Sequence, residues 1–79
     1  MAATPQPLTS LQLGGGGTVT EIKVAPDQRG RLLEMGLLVG TPVRLVRFAP
    51  LGDPVEIKVR GYNLTLRRAD AEQIWVRPD

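Results

Sequence analysis

The chain has 79 residues, with 10 Lys and Arg against 8 Asp and Glu, no His, no Cys, and 42% apolar side chains. A chain this short holds one domain near the lower limit for a self-sufficient core, and without Cys neither a disulfide nor a thiolate ligand can reinforce it. No apolar run is long enough to span a bilayer, and residues 1–10 lack the basic start and apolar stretch of a secretory signal, so a reducing cytoplasm is the expected setting.

Residues 1–7 are polar and contain Pro, and are expected to be disordered, leaving 8–79 as a single domain. The run from Gly14 to Gly17 invites comparison with a phosphate-binding loop, which needs a following Lys and a helix N-terminus. Here Thr18-Val19-Thr20 follows instead, so the run reads as a flexible or bulged loop before an opening strand over residues 18–24. A helix is predicted over 27–36. Asp27 can accept the orphan N–H groups of its first turn, Gly36 can take the left-handed conformation past its end, and Leu32 and Leu37 fall where side chains touch across such a cap. Gly30 in its interior costs roughly 1 kcal/mol against Ala, so packing through Leu32 and Met35 must hold this helix.

After Gly40-Thr41-Pro42 the period changes to two. Residues 43–48 suit a pleat, but the alternation slips at Leu45-Val46, which predicts either a bulge or a strand covered on both faces. Over 55–60 there is no slip: Val55, Ile57 and Val59 share one face, Glu56, Lys58 and Arg60 the other, and Leu64 and Leu66 continue the apolar side. The preferred turn centres on Gly61-Tyr62 and sets Glu56 opposite Arg67, because the rival turn at Arg60-Gly61 requires positive φ at Arg60. Residues 68–73 fit one helical turn, and Ile74-Trp75-Val76 returns as a last strand with Ile74 and Val76 inward. The expected fold is mainly β: a small SH3-like barrel of about five strands, one helix between the first two, and a short helical turn before the last.

At this point the residues carry a resemblance. The segments Arg31-Leu32-Leu33-Glu34-Met35-Gly36-Leu37, Gly40-Thr41, Ala49-Pro50-Leu51-Gly52-Asp53-Pro54 and Arg60-Gly61-Tyr62-Asn63-Leu64-Thr65-Leu66-Arg67-Arg68 keep the order and spacing of the FeoA family, and the chain resembles it from Leu8 to Val76. The glycine run and Trp75, which stands where the family usually has something smaller or polar, are the departures. The resemblance implies a cytosolic accessory protein of bacterial ferrous iron uptake. Its implied partner is a FeoB-type membrane transporter, through that protein's cytosolic GTP-binding part.

The residues themselves offer little chemistry. A tight ferrous site draws on imidazole, thiolate or clustered carboxylate, whereas the carboxylates here are scattered, and Asp70 and Glu72, two apart, do not share a helix face. No cofactor is expected, only weak adventitious binding of divalent metal. With no His or Cys, and Ser10, Lys23 and Lys58 lacking partners, no nucleophilic constellation forms, and the chain is not expected to be an enzyme.

Arg44, Arg47, Lys58, Arg60, Arg67 and Arg68 raise nucleic acid as a rival partner, but single-strand readers need stacking platforms, and Phe48, Tyr62 and Trp75 are the only aromatics. The same shortage argues against a proline-peptide groove. A third reading, a metal-sensing domain like that of iron-dependent repressors, would normally be joined to a DNA-binding helical domain, and no stretch here provides one. Protein contact through surface loops remains, with Leu38 and Val39 just past the helix cap and Leu51, Gly52, Asp53 and Pro54 in a turn-rich link as candidate residues. Leu51 reads as core folded over the barrel mouth rather more than as an exposed contact, and Leu38 reads equally as either.

Overall fold

The computed structural model describes residues 4–79. Its strands are β1 (Gln6–Pro7), β2 (Gly16–Ile22), β3 (Pro42–Phe48), β4 (Val55–Val59), β5 (Tyr62–Leu66) and β6 (Ile74–Pro78), with helix α1 (Pro26–Glu34) after β2 and helix α2 (Arg68–Ala71) before β6. They form one antiparallel sheet in the order β1-β6-β2-β3-β4-β5, and a 3-10 turn at Leu8–Ser10 follows β1. This is the expected mainly β, SH3-like architecture with one strand more. The extra strand lies in the stretch expected to be disordered: Gln6 and Pro7 pair with Val76 and Trp75, and Leu8 behind them is fully buried, so one apolar anchor orders the chain before it. The rest of that expectation, over residues 1–3, lies outside the described residues.

The core fills the inner face of the sheet. On β4, Val55, Ile57 and Val59 are all at 0% exposure while Lys58 between them is exposed, so the alternation in the sequence is the alternation in space. Leu45, Ile74 and Val76 complete that face; Leu32 and Leu37 close it from the helix side, with Met35, Phe48 and Leu64 packed at its margin. The slip at Leu45-Val46 is a bulge: Leu45 pairs with Ile57 and Arg47 with Glu56, so Val46 is the extra residue.

At the end of α1, Gly36 has φ of +91° and the Leu37 and Gly36 amides donate to Leu32 O and Leu33 O at 3.0 and 2.9 Å, the paired bonds of a left-handed cap, with Leu32 and Leu37 buried beside it. Its start differs from the expectation. Asp27 is not the cap: Ala25 is, and Pro26 holds the first helical position, where its fixed φ suits the helix and its missing N–H would have had no partner. Asp27 sits in the first turn, favourably placed against the helix dipole.

The β4–β5 register also differs. Val59 pairs with Tyr62 and Glu56 with Thr65, not Arg67, so the turn residues are Arg60 and Gly61 with φ of +49° and +93°. Two positive φ values make the turn whose twist matches the flanking strands, and the strain at Arg60 is offset by what the register brings together. In it the Tyr62 hydroxyl donates to Met35 O at the end of α1, and Asn63 Nδ2 donates to Glu56 Oε2 at 2.7 Å. The glycine run is likewise no free loop. Gly16 and Gly17 are the first residues of β2, wedged between β3 and β6, and a Cβ on Gly17 would stand 2.7 Å from Arg77 O.

Candidate interaction surface

The link from β3 to β4 is built as a rigid knob. Gly52 N donates to Ala49 O at 2.7 Å and Ala49 N to Pro54 O at 3.0 Å, which closes the loop on itself. Arg68 then ties it to the rest of the domain: its backbone N–H donates to Asp53 Oδ1 at 3.1 Å, and its guanidinium reaches Gly52 O at 3.4 Å while lying 5.3 Å from the Phe48 ring centre. Asp53 thereby supplies, from another part of the chain, the capping oxygen that Arg67 cannot give α2. At the tip Leu51 is 96% exposed, so it is not folded over the barrel mouth as core. A leucine in water at the apex of a hydrogen-bonded loop contributes nothing to the core, and the loop has lost its conformational freedom before any partner arrives.

Leu38 and Val39 stand at a different place, past the α1 cap, at 45% and 65% exposure. Their loop is fastened by the buried Thr41, whose Oγ1 accepts from Leu38 N at 3.2 Å, and by Gly40 N donating to Val19 O at 2.7 Å. Val39 borders a groove with Leu33, Arg29 and the end of β2, whereas Phe48, Ala49, Pro50 and Pro54 border another, so the six candidate residues form two surfaces and not one. Sequence reasoning missed Arg68 and Asp53 as a pair. Their separation of fifteen residues gives no local signal; only the return of β5 beside the loop joins them.

Electrostatics are local and modest. Arg47 donates to Glu56 Oε1 at 2.8 Å, and that bond, with the one from Asn63, holds the Glu56 carboxyl below its ordinary pKa. Arg31 meets Asp70 at 3.3 Å. Lys23 Nζ lies 4.0 Å over the Trp75 ring and Tyr62 is tied to Met35, so with Arg68 beside Phe48 all three aromatics already have partners. Among the described residues no three of His, Cys, Asp and Glu come together as metal ligands would, and no helix is long and apolar enough to cross a membrane.

A small SH3-like domain with ordered, outward apolar loops is the class that this geometry defines. The profile of the FeoA domain matches residues 6–78, and the chain belongs to the FeoA family. It is 38% identical over 69 residues to a fusion of Fe(2+) transport protein A with the Fe(2+) transporter FeoB from Porphyromonas gingivalis, a match covering 87% of this chain and only 8% of that protein. Among solved structures it is similar to FeoA from Chlorobium tepidum, at 41% identity and a TM-score of 0.86, covering 92% of this chain and 70% of that one. It is similar also to Stenotrophomonas maltophilia FeoA complexed with zinc, described as a prokaryotic SH3 domain protein, at 28% identity and a TM-score of 0.74, covering 94% of this chain and 89% of that one. The family is linked to ferrous iron transport.

Proposed function

We propose that this domain is a non-enzymatic accessory of bacterial ferrous iron uptake that acts at the cytosolic face of the membrane by contact with the GTP-binding part of a FeoB-type transporter. The observation that carries the reading is the fusion: a domain 38% identical to this one shares a single chain with the transporter, which keeps the two at one place in fixed proportion. Two ordered apolar loops suit such a role, with Leu51 the first contact to test and Leu38-Val39 the second. Nucleic acid is a poorer fit, because Trp75 and Tyr62, the aromatics left for stacking, are engaged by Lys23 and Met35.

Iron is the transporter's cargo in this reading and not a resident group of the domain. The S. maltophilia protein was solved with zinc, whereas the side-chain donors of this chain, lacking His and Cys, are dispersed carboxylates. Ferrous iron and zinc are expected to bind the isolated domain no tighter than about millimolar, roughly 4 kcal/mol, by titration calorimetry at neutral pH. A saturable micromolar one-to-one site would mean that the domain handles metal itself. The partner is tested by recovering the tagged domain from membrane fractions with and without the transporter; equal recovery from both sinks the proposal.

A further inference from the structure

The sheet has free edges, and they are treated unequally. At one end β1 is two residues long and contains Pro7, which has no N–H to offer. The part of β2 beyond its pairing with β3 is closed by neighbours: Gly40 and Thr41 bond to Val19, and Arg29 Nη2 donates to Ile22 O at 2.8 Å. β3 is bulged at Val46 and carries Arg47. At the other end β5 reads Tyr62-Asn63-Leu64-Thr65-Leu66, five residues with no charge, no Pro and no break in register. Proteins ordinarily blunt such an edge.

The two-residue turn decides which groups point outward. Val59 and Tyr62 flank it and exchange their hydrogen bonds, and so, two residues on, do Ile57 with Leu64 and Val55 with Leu66. The backbone N–H and C=O of Asn63 and Thr65 therefore face away from β4, and among the described residues none of these groups meets another backbone group. Beside this edge runs a groove of about 160 Å³ whose floor and rim are Arg31 and Leu32 of α1 and Met35 at its C-terminal cap, with Thr65, Leu66 and Arg67; Asp70, also on its rim, is held by Arg31. β5 then leads into Arg68, which grips the Leu51 loop, so edge and knob are one continuous surface.

We infer that the β5 edge takes in an extended segment of the protein partner as an added strand, with carboxylates on the segment flanking the paired residues. Main-chain bonds to Asn63 and Thr65 supply the pairing. The flanks supply the charge: Arg60 stands before β5, and Arg67 and Arg68 after it. A second copy paired antiparallel about Leu64 would bring its Arg60 against Arg67 and Arg68, an arrangement of like charges, whereas a segment with acidic ends meets Arg60 at one flank and Arg67 at the other, where the nearby carboxylates of Asp70 and Glu72 are already held by Arg31 and Arg68. That the segment belongs to the transporter rests on the function proposed above; the edge itself does not.

Amide hydrogen exchange on the full chain tests this residue by residue. With the transporter's cytosolic part at saturation, the Asn63 and Thr65 amides are expected to exchange at least about tenfold more slowly than in the free domain. Thr65→Pro, which removes an N–H that β4 does not use, is expected to keep the parent's melting temperature and weaken association at least about tenfold. If that variant melts lower, exchange in the unmodified chain decides. Binding that leaves both amides fast overturns the added strand and leaves the proposed function standing. If the transporter part does not bind at all, the proposed function fails, and a synthetic peptide of alternating Val and Thr with Glu at both ends is the remaining probe: saturable slowing at Asn63 and Thr65 upholds the edge, and none overturns it. Slowing that grows with the domain's own concentration, without either probe, overturns the partner in favour of self-pairing.

Discussion

Ile57 and Leu51 carry four-carbon apolar side chains six residues apart, yet one is at 0% exposure and the other at 96%. The difference lies in what fixes each backbone. Ile57 sits in a strand whose period of two turns alternate residues to one face, and the sheet has a core on that side. Leu51 sits in a loop fixed by Arg68 and by its own hydrogen bonds, with no packed layer in front of it. Hydropathy alone cannot separate the two. Burial makes the first a determinant of stability, and its absence leaves the second free to serve association, so the two effects should come apart on mutation.

The largest effect is expected in the core. Ile57→Ala loses buried area and leaves a cavity, and should cost about 2–5 kcal/mol in chemical denaturation, while Lys58→Ala next to it should change stability by roughly 0.5 kcal/mol or less. Equal losses at the two positions would abolish the distinction between the faces of β4. The measurement needs no partner.

How far the sequence could be read follows the same division. The β4 alternation, the Gly36 cap and the Val46 bulge were legible because each is written in adjacent residues: the side-chain period, a glycine at a helix end, one slip in a pattern. The β4–β5 register was not, because propensity disfavours φ of +49° at Arg60, while the bonds that accompany that register, Tyr62 to Met35 at the end of α1 and Asn63 to Glu56 across the hairpin, show only in the fold. Gly16 and Gly17 read as loop from their propensity, yet they are strand because β6 comes too close for a Cβ on Gly17. For the candidate surface, Leu51 was legible as one of two outcomes, and the choice fell to Arg68, whose link to Asp53 has no sequence signature.

At the knob the expected effect is smaller and of another kind. Leu51→Asp should leave stability within about 0.5 kcal/mol of the parent, since a side chain already in water exchanges one solvated group for another. Association with the transporter should weaken at least roughly tenfold, about 1.4 kcal/mol, because a central apolar contact would become a charge needing desolvation. Unchanged stability with unchanged binding would remove the knob from the interface and leave Leu38-Val39 and the β5 edge. A melting temperature several degrees lower would show that the loop supports the fold after all, and the contrast with Ile57 would fail.

The smallest effect tests a position that belongs to neither region. Gly30 lies inside α1, exposed, and a Cβ built there has nothing within 4 Å, so Ala would neither fill a cavity nor meet a neighbour. What changes is the chain itself: Ala loses less freedom than Gly on entering a helix, through the unfolded state as much as the folded one, and Gly30→Ala should stabilise by about 0.5–1 kcal/mol. In a domain of this size that corresponds to a rise of roughly 2–8 °C in melting temperature, readable by calorimetry. Transporter binding should not move, because the substitution leaves Leu51 and the β5 edge as they are. If stability rises but binding falls, the exposed face of α1 is itself covered in the complex, and the interface reaches around the helix from Arg31 beside β5 to Gly30.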